Sequence, residues 1–191
     1  MTVPDTSTEA PRSPGEWSAQ RVGLFVDTQN LYYAARDYHS GTVDFQTLLS
    51  AALRGRRLAG ATAYVVEREG EATSHGFFAK LSALGYRVKR RSVRVHRQAE
   101  DGRTVMEGDW DMGIAADIVR AFDTCDVLAL ASGDGDFTPI VELAQERGKR
   151  FEVLAFREVA AQALVDISDS FANLAEVPGI FHNRAAAKQE G

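Results

Sequence analysis

Two apolar runs in this sequence end in carboxylates. Val22-Gly23-Leu24-Phe25-Val26 leads directly into Asp27, and Val127-Leu128-Ala129-Leu130-Ala131 leads into Ser132-Gly133-Asp134-Gly135-Asp136. A third acidic group, Glu107-Gly108-Asp109-Trp110-Asp111, stands between them in the chain. Carboxylates gathered from separate segments repel one another and raise each other's pKa unless something positive binds among them. A hard divalent cation, Mg²⁺ or Mn²⁺, prefers such carboxylate and water oxygens. One or two such ions polarise a phosphodiester, lower the pKa of a bound water and stabilise the leaving oxygen.

Each acidic residue also has an ordinary structural role to weigh. Asp136 could cap a helix that begins at 137, and Asp111 could cap its own helix. Asp27 and Asp134 together, both at the ends of buried strands, favour a site over capping. Asn30 lies three residues beyond Asp27. It either orients a water or phosphate, bonds Asp27, or caps a helix at 31. Ser132 either donates to a carboxylate or phosphate oxygen or serves the turn, in which Gly133 and Gly135 let the backbone bend sharply. Asp117 is six residues after Asp111, about 240° around an ideal helix. It is equally placed to pair with Arg120 at i+3, which leaves it the weakest of the candidates.

Arg87, Lys89, Arg90, Arg91, Arg94 and Arg97, with His96 among them, crowd into eleven residues. In an acidic chain this is a candidate phosphate track, with Lys89, Arg90, Arg91 and Arg94 as RNA contacts. The alternative is an exposed edge strand kept soluble by charge. Tyr32, Tyr33 and Tyr38 offer faces on which unpaired bases stack, although core or half-buried positions are favoured for them. His39, His75, His96 and His182 show no ligand spacing.

The elements that must position these residues follow from hydrophobic period. Runs 22–26 and 127–131 have the pattern of strands buried on both faces. Helices are expected over 31–36, 45–57 (Asp44 as N-cap, Gly60 ending it), 73–84 (stopped by Gly85), 111–122 and 137–147. Further strands are expected over 61–66, 86–97 and 151–155, with helical segments after them to about 174. Strands alternating with helices predict an α/β fold with a mostly parallel sheet of about five strands. In such sheets sites form beyond the carboxyl ends of the strands, at the topological switch point.

The chain has 191 residues, 45% of them apolar, which suits one domain with a packed core. The expected division is a disordered tail over 1–19, a domain over 20–175 and a C-terminal tail over 176–191. A net charge of -5 argues against coating nucleic acid by bulk charge but leaves room for a local basic groove. The single cysteine, Cys125, excludes an internal disulfide or a thiolate cage and reads as a buried small hydrophobe. The N-terminus lacks a signal-peptide pattern, and no run approaches the length of a membrane span, so the cytoplasm is expected and a membrane is not.

Three segments in this order resemble the NYN domain family in its bacterial, LabA-like branch. They are 23–31 (GLFVDTQNL), 108–117 (GDWDMGIAAD) and 132–137 (SGDGDF), and the resemblance runs from about 21 to 156. It implies a PIN-like, Rossmann-like three-layer fold, with the central sheet between helices. It also implies an acidic pocket that binds Mg²⁺ or Mn²⁺ and cleaves RNA in active members. The matching positions are Asp27, Asn30, Asp111, Asp134 and Asp136, with Asp117 as a second carboxylate of the middle motif. The family often has Lys or another polar residue where this chain has Glu107, a departure that adds negative charge near the pocket.

The expected function is therefore metal-dependent hydrolysis of RNA, single-stranded in this reading. Asp27, Asp111, Asp134 and Asp136 would hold the metal; a homodimer is compatible. The main rival is a non-catalytic module that binds RNA or protein on the same fold. A small-molecule phosphatase or a receiver-type regulator is weaker, because the phosphatase nucleophile motif after the first strand and the receiver's paired acids and late Lys are missing.

Overall fold

The computed structural model describes residues 18–68, 75–93, 95–97, 104–106 and 109–182. In chain order the elements are β1 (Arg21–Asp27), α1 (Thr28–His39), α2 (Phe45–Leu53), β2 (Arg57–Arg68), α3 (His75–Ala83) and β3 (Tyr86–Val93). Then follow β4 (Val95–Arg97), β5 (Thr104–Met106), α4 (Asp111–Arg120), β6 (Val127–Ala131), a 3-10 turn (Gly135–Phe137) and α5 (Thr138–Glu146). The last are β7 (Arg150–Ala155), α6 (Gln162–Ile167), β8 (Ser170–Asn173) and a second 3-10 turn (Leu174–Glu176).

Six strands form one sheet in the order β3-β2-β1-β6-β7-β8, and every neighbouring pair is parallel. The sheet is thus fully parallel and one strand larger than the expected five. The β4–β5 pair is a separate antiparallel ribbon. Side chains alternate across each strand, so the two central runs serve two cores. Val22, Leu24, Val26, Val127, Ala129 and Ala131 pack with residues of α1, α2 and α3. Phe25, Leu128 and Leu130 pack with residues of α4, α5 and α6. The result is the expected three-layer α/β sandwich. β1 leads outward to β2, and β6 leads the other way to β7, so the switch point lies at the carboxyl ends of β1 and β6.

Local chemistry moves several expected boundaries. α1 starts at Thr28, not 31, because Asp27 caps it by accepting from the amides of Gln29 and Asn30. α2 ends at Leu53, because Arg54 and Gly55 take left-handed φ values of 47° and 79°. Gly60, expected to end that helix, lies inside β2 and pairs with Gly23. The strand expected over 86–97 is divided into β3 and β4, and Arg94 between them lies outside the described residues, as do Glu107 and Gly108.

Residues 1–17 of the expected N-terminal tail also lie outside the described residues. At the other end, the tail expected from 176 does not begin there. Phe181 bridges to Val43, the His182 amide donates to the Thr42 carbonyl at 2.8 Å, and Ile180 is buried. Burial of these apolar groups holds the chain to the domain as far as His182.

At the amino end of the sheet Arg56 and Glu152 form a buried bidentate pair, with contacts of 2.9 and 2.6 Å. The Arg56 guanidinium also donates to the carbonyls of Ala52 and Leu53. Arg150 adds a bond to Glu152 at 2.8 Å. Among the described residues, no helix is long and apolar enough to cross a membrane.

Candidate active site

Asp27 ends β1 and Ser132 follows β6, so adjacent parallel strands deliver them side by side. One carboxylate oxygen of Asp27 accepts the Gln29 and Asn30 amides at 3.2 and 3.1 Å; the other accepts the Ser132 hydroxyl at 3.3 Å. Ser132 is fully buried, and its Oγ accepts the Asp134 amide at 3.2 Å. Asp134 in turn accepts the Asp136 amide at 3.0 Å and caps the 3-10 turn. The Asn30 side-chain oxygen accepts the Gly133 amide at 3.0 Å. One network therefore ties the start of α1 to the loop after β6, and Asn30 holds that loop rather than capping a helix at 31.

Gly133 cannot carry a side chain here. A Cβ would stand 2.8 Å from the Val159 carbonyl oxygen, and the Gly133 carbonyl accepts the Ala161 amide at 2.8 Å. The loop is clamped on both sides.

Asp111 arrives from the opposite wall, as the first residue of α4. It does not cap that helix; Trp110 is the N-cap, and the Asp109 carboxylate accepts the Asp111 amide at 3.3 Å. Nor does Asp136 cap α5, which starts one residue later than expected, at Thr138. The carboxylates of Asp111, Asp134 and Asp136 each bring an oxygen within 4.8 Å of the other two. Asp27, Asn30 and Asp109 line the same cleft, which encloses about 590 Å³.

The electrostatics of the cluster suits the binding of a cation. Burial, then the charges of Asp109, Asp134, Asp27 and Asp136, push the Asp111 pKa up to about 6. Burial also raises the Asp27 pKa, although the Asn30, Ser132 and Gln29 bonds partly offset it. Three carboxylates without thiolate or imidazole are an oxygen donor set, suited to a hard divalent ion rather than a soft one.

Asp117 is not part of this group. It accepts from the Tyr64 hydroxyl at 2.6 Å, from Lys89 at 2.6 Å and from Arg120 at 2.9 Å. Those partners hold its carboxyl below the usual range against the opposing effect of burial. The i+3 pairing with Arg120 is present, and Lys89 is held by Asp117 on the α4 side.

The basic residues divide between environments. Arg90 lies against Phe78 of α3, 5.1 Å from its ring centroid. Arg91 stacks on Trp110 at 4.6 Å and donates to the Asp109 carbonyl, at the rim of the acidic cleft. Tyr32 and Tyr38 are 55% and 58% exposed, against the expectation of core or half-buried rings; Tyr33 is half-buried.

Trp110 is the residue that sequence reasoning passed over. Its indole N–H donates to the Val65 carbonyl at 3.0 Å, and its ring packs against Tyr64. A Cβ on Gly113 would lie 2.6 Å from the indole. Trp110 thereby pins the first turn of α4, with Asp111, to the end of β2. The signal was present in the sequence as an aromatic between two aspartates, followed by a glycine one turn on.

Residues 21–175 match the NYN domain. Over 159 residues the chain is 23% identical to the low amplitude and bright protein LabA of Synechococcus elongatus, covering 82% of this chain and 85% of that protein. A crystal structure of a protein of unknown function from Vibrio parahaemolyticus has the same fold. Its TM-score is 0.71 at 27% identity, covering 90% of this chain and 99% of that one.

Proposed function

The chain belongs to the NYN domain family, and from that premise we propose that it is a metal-dependent ribonuclease acting on single-stranded RNA. The observation that carries this reading is the approach of Asp111, Asp134 and Asp136 to within 4.8 Å at the switch point of the sheet. Asp27, Asp111, Asp134 and Asp136 are the proposed ligands of Mg²⁺ or Mn²⁺. Bound there, such an ion supplies Lewis acidity toward a phosphodiester and lowers the pKa of water.

The chain's own residues do the rest. Ser132 and the two amides of α1 orient Asp27, so both its oxygens keep fixed directions. Asn30 holds the loop that carries Asp134 and Asp136. Arg91, stacked on the Trp110 ring, stands where an RNA backbone would cross the rim. Asp117 acts through Lys89 and Tyr64 as a structural anchor rather than as a ligand.

The test is cleavage of labelled, mixed-sequence single-stranded RNA with Mn²⁺, Mg²⁺ or EDTA, comparing the native chain with Asp134→Asn. Metal-dependent cutting that Asp134→Asn abolishes is the expected result. RNA held on a filter but left intact by both proteins would replace the nuclease with a non-catalytic RNA-binding module. Neither cutting nor retention would remove RNA from the reading.

A further inference from the structure

A second cavity, of about 430 Å³, adjoins the acidic cleft. Gln29, Tyr33 and Val66 line both, so the two are neighbours. Its walls mix aliphatic side chains, among them Val65 and Val66 of β2, with four aromatic rings from three helices: Tyr32 and Tyr33 from α1, Phe45 from α2 and Phe77 from α3. The tyrosine rings meet edge to face, 5.5 Å apart at 66°. The Arg36 guanidinium lies 4.8 Å from the Tyr33 centroid and 5.6 Å from that of Tyr32. Phe45 and Phe77 meet edge to face at 5.6 Å.

Flat rings and a guanidinium plane are the surfaces on which an unpaired nucleobase stacks, whatever its sequence. The volume is in the range of small-ligand pockets, roughly 300–1,000 Å³. Gln29 and Thr42 also line the cavity. Tyr32 is more than half exposed, so its ring is accessible to a guest.

We propose that this cavity binds a nucleobase of the nucleotide next to the one whose phosphate lies in the acidic cleft. The proposal rests on the reading of that cleft as a phosphodiester site. It makes Tyr32, Tyr33 and Phe77 determinants of which strands are accepted: a base free to leave its stack enters, and a paired one does not.

The test uses binding, not turnover. The full chain in Mg²⁺ is titrated calorimetrically with AMP, UMP and ribose 5-phosphate. The nucleotides are expected to bind about tenfold more tightly than ribose 5-phosphate. Tyr32→Ala, at an exposed position that the fold tolerates, should close most of that gap and leave ribose 5-phosphate binding unchanged; Phe77→Ala should do the same from another wall. Equal binding of all three ligands by the native chain overturns the proposal, as does a gap that survives both substitutions. The cleft is judged separately by the Asp134→Asn cleavage comparison. Cutting with no preference for nucleotides sinks the base pocket alone; base-dependent binding without cutting keeps the pocket and sinks only the nuclease.

Discussion

Asp111 carries a proton in the folded chain at a pH where a free aspartate would not, because burial and four neighbouring carboxylates push its pKa up to about 6. A group that binds its proton more tightly when folded stabilises the fold below its ordinary value, near 3.8. That stabilisation is lost as pH rises through 6. Asp111→Asn removes the charge without changing the shape. In EDTA at pH 7 it should gain about 1 kcal/mol, a figure discounted for solvent screening. At pH 4 the gain should vanish. Urea unfolding at the two pH values reads both, and a variant no more stable than the native chain at pH 7 would remove the strain ascribed to the cluster. Ser132 gives a second prediction at this scale. Its hydroxyl is fully buried and serves both Asp27 and Asp134. Ser132→Ala should cost about 1–3 kcal/mol and weaken metal-dependent cutting, while Ser132→Thr keeps the hydroxyl and tests the added methyl.

The first turn of α4 is held by one interlocked pair, the Trp110 ring and the bare backbone of Gly113. With a Cβ at 2.6 Å from the indole, Gly113→Ala must displace either the ring or the turn that bears Asp111. The expected outcome is a folded protein whose melting temperature no longer rises with Mn²⁺ and whose RNA cleavage falls at least about tenfold. Circular dichroism and thermal melts with and without Mn²⁺ would show it. The elements themselves were unequally legible. Val22–Val26 and Val127–Ala131 declared themselves because a strand buried on both faces must be apolar throughout, and the acids at their ends marked the switch point. β8 was hidden because Ser170–Asn173 is four residues long and only half-buried, so no period develops. The start of β2 was hidden behind α2, because positive φ at Arg54 leaves no mark in the sequence while Gly60 mimics a helix stop. Asp27, Asp134 and Asp136 could be placed from strand ends alone. That Asp117 belongs to Lys89 and Tyr64 could not, since those contacts join β2, β3 and α4 across 28 and 53 residues.

At the scale of the whole molecule, the sheet carries charge at both ends in opposite conditions: carboxylates that raise the pKa of Asp111 at the carboxyl end, a closed ion pair at the amino end. Burial acts to raise the Glu152 pKa, but Arg56 and Arg150 outweigh it and hold the carboxyl below its ordinary value. A depressed carboxyl stabilises the fold above that ordinary value, and the contribution is lost as pH falls below it. Glu152→Gln strands the buried Arg56 charge and should cost about 3–5 kcal/mol at neutral pH, whereas the Arg56→Met, Glu152→Leu double variant should recover most of it. Chemical denaturation of the three proteins decides the matter. The closing segment carries a practical consequence. The match to the NYN domain stops at residue 175, yet Phe181 stacks on Phe156 at 5.6 Å and Ile180 is buried beneath α2 and the sheet. A chain truncated after 175 should therefore lose about 4 kcal/mol of apolar burial and expose a sticky face. A truncation point or a fusion junction therefore has to leave Phe181 and His182 in place, seven residues past the family boundary.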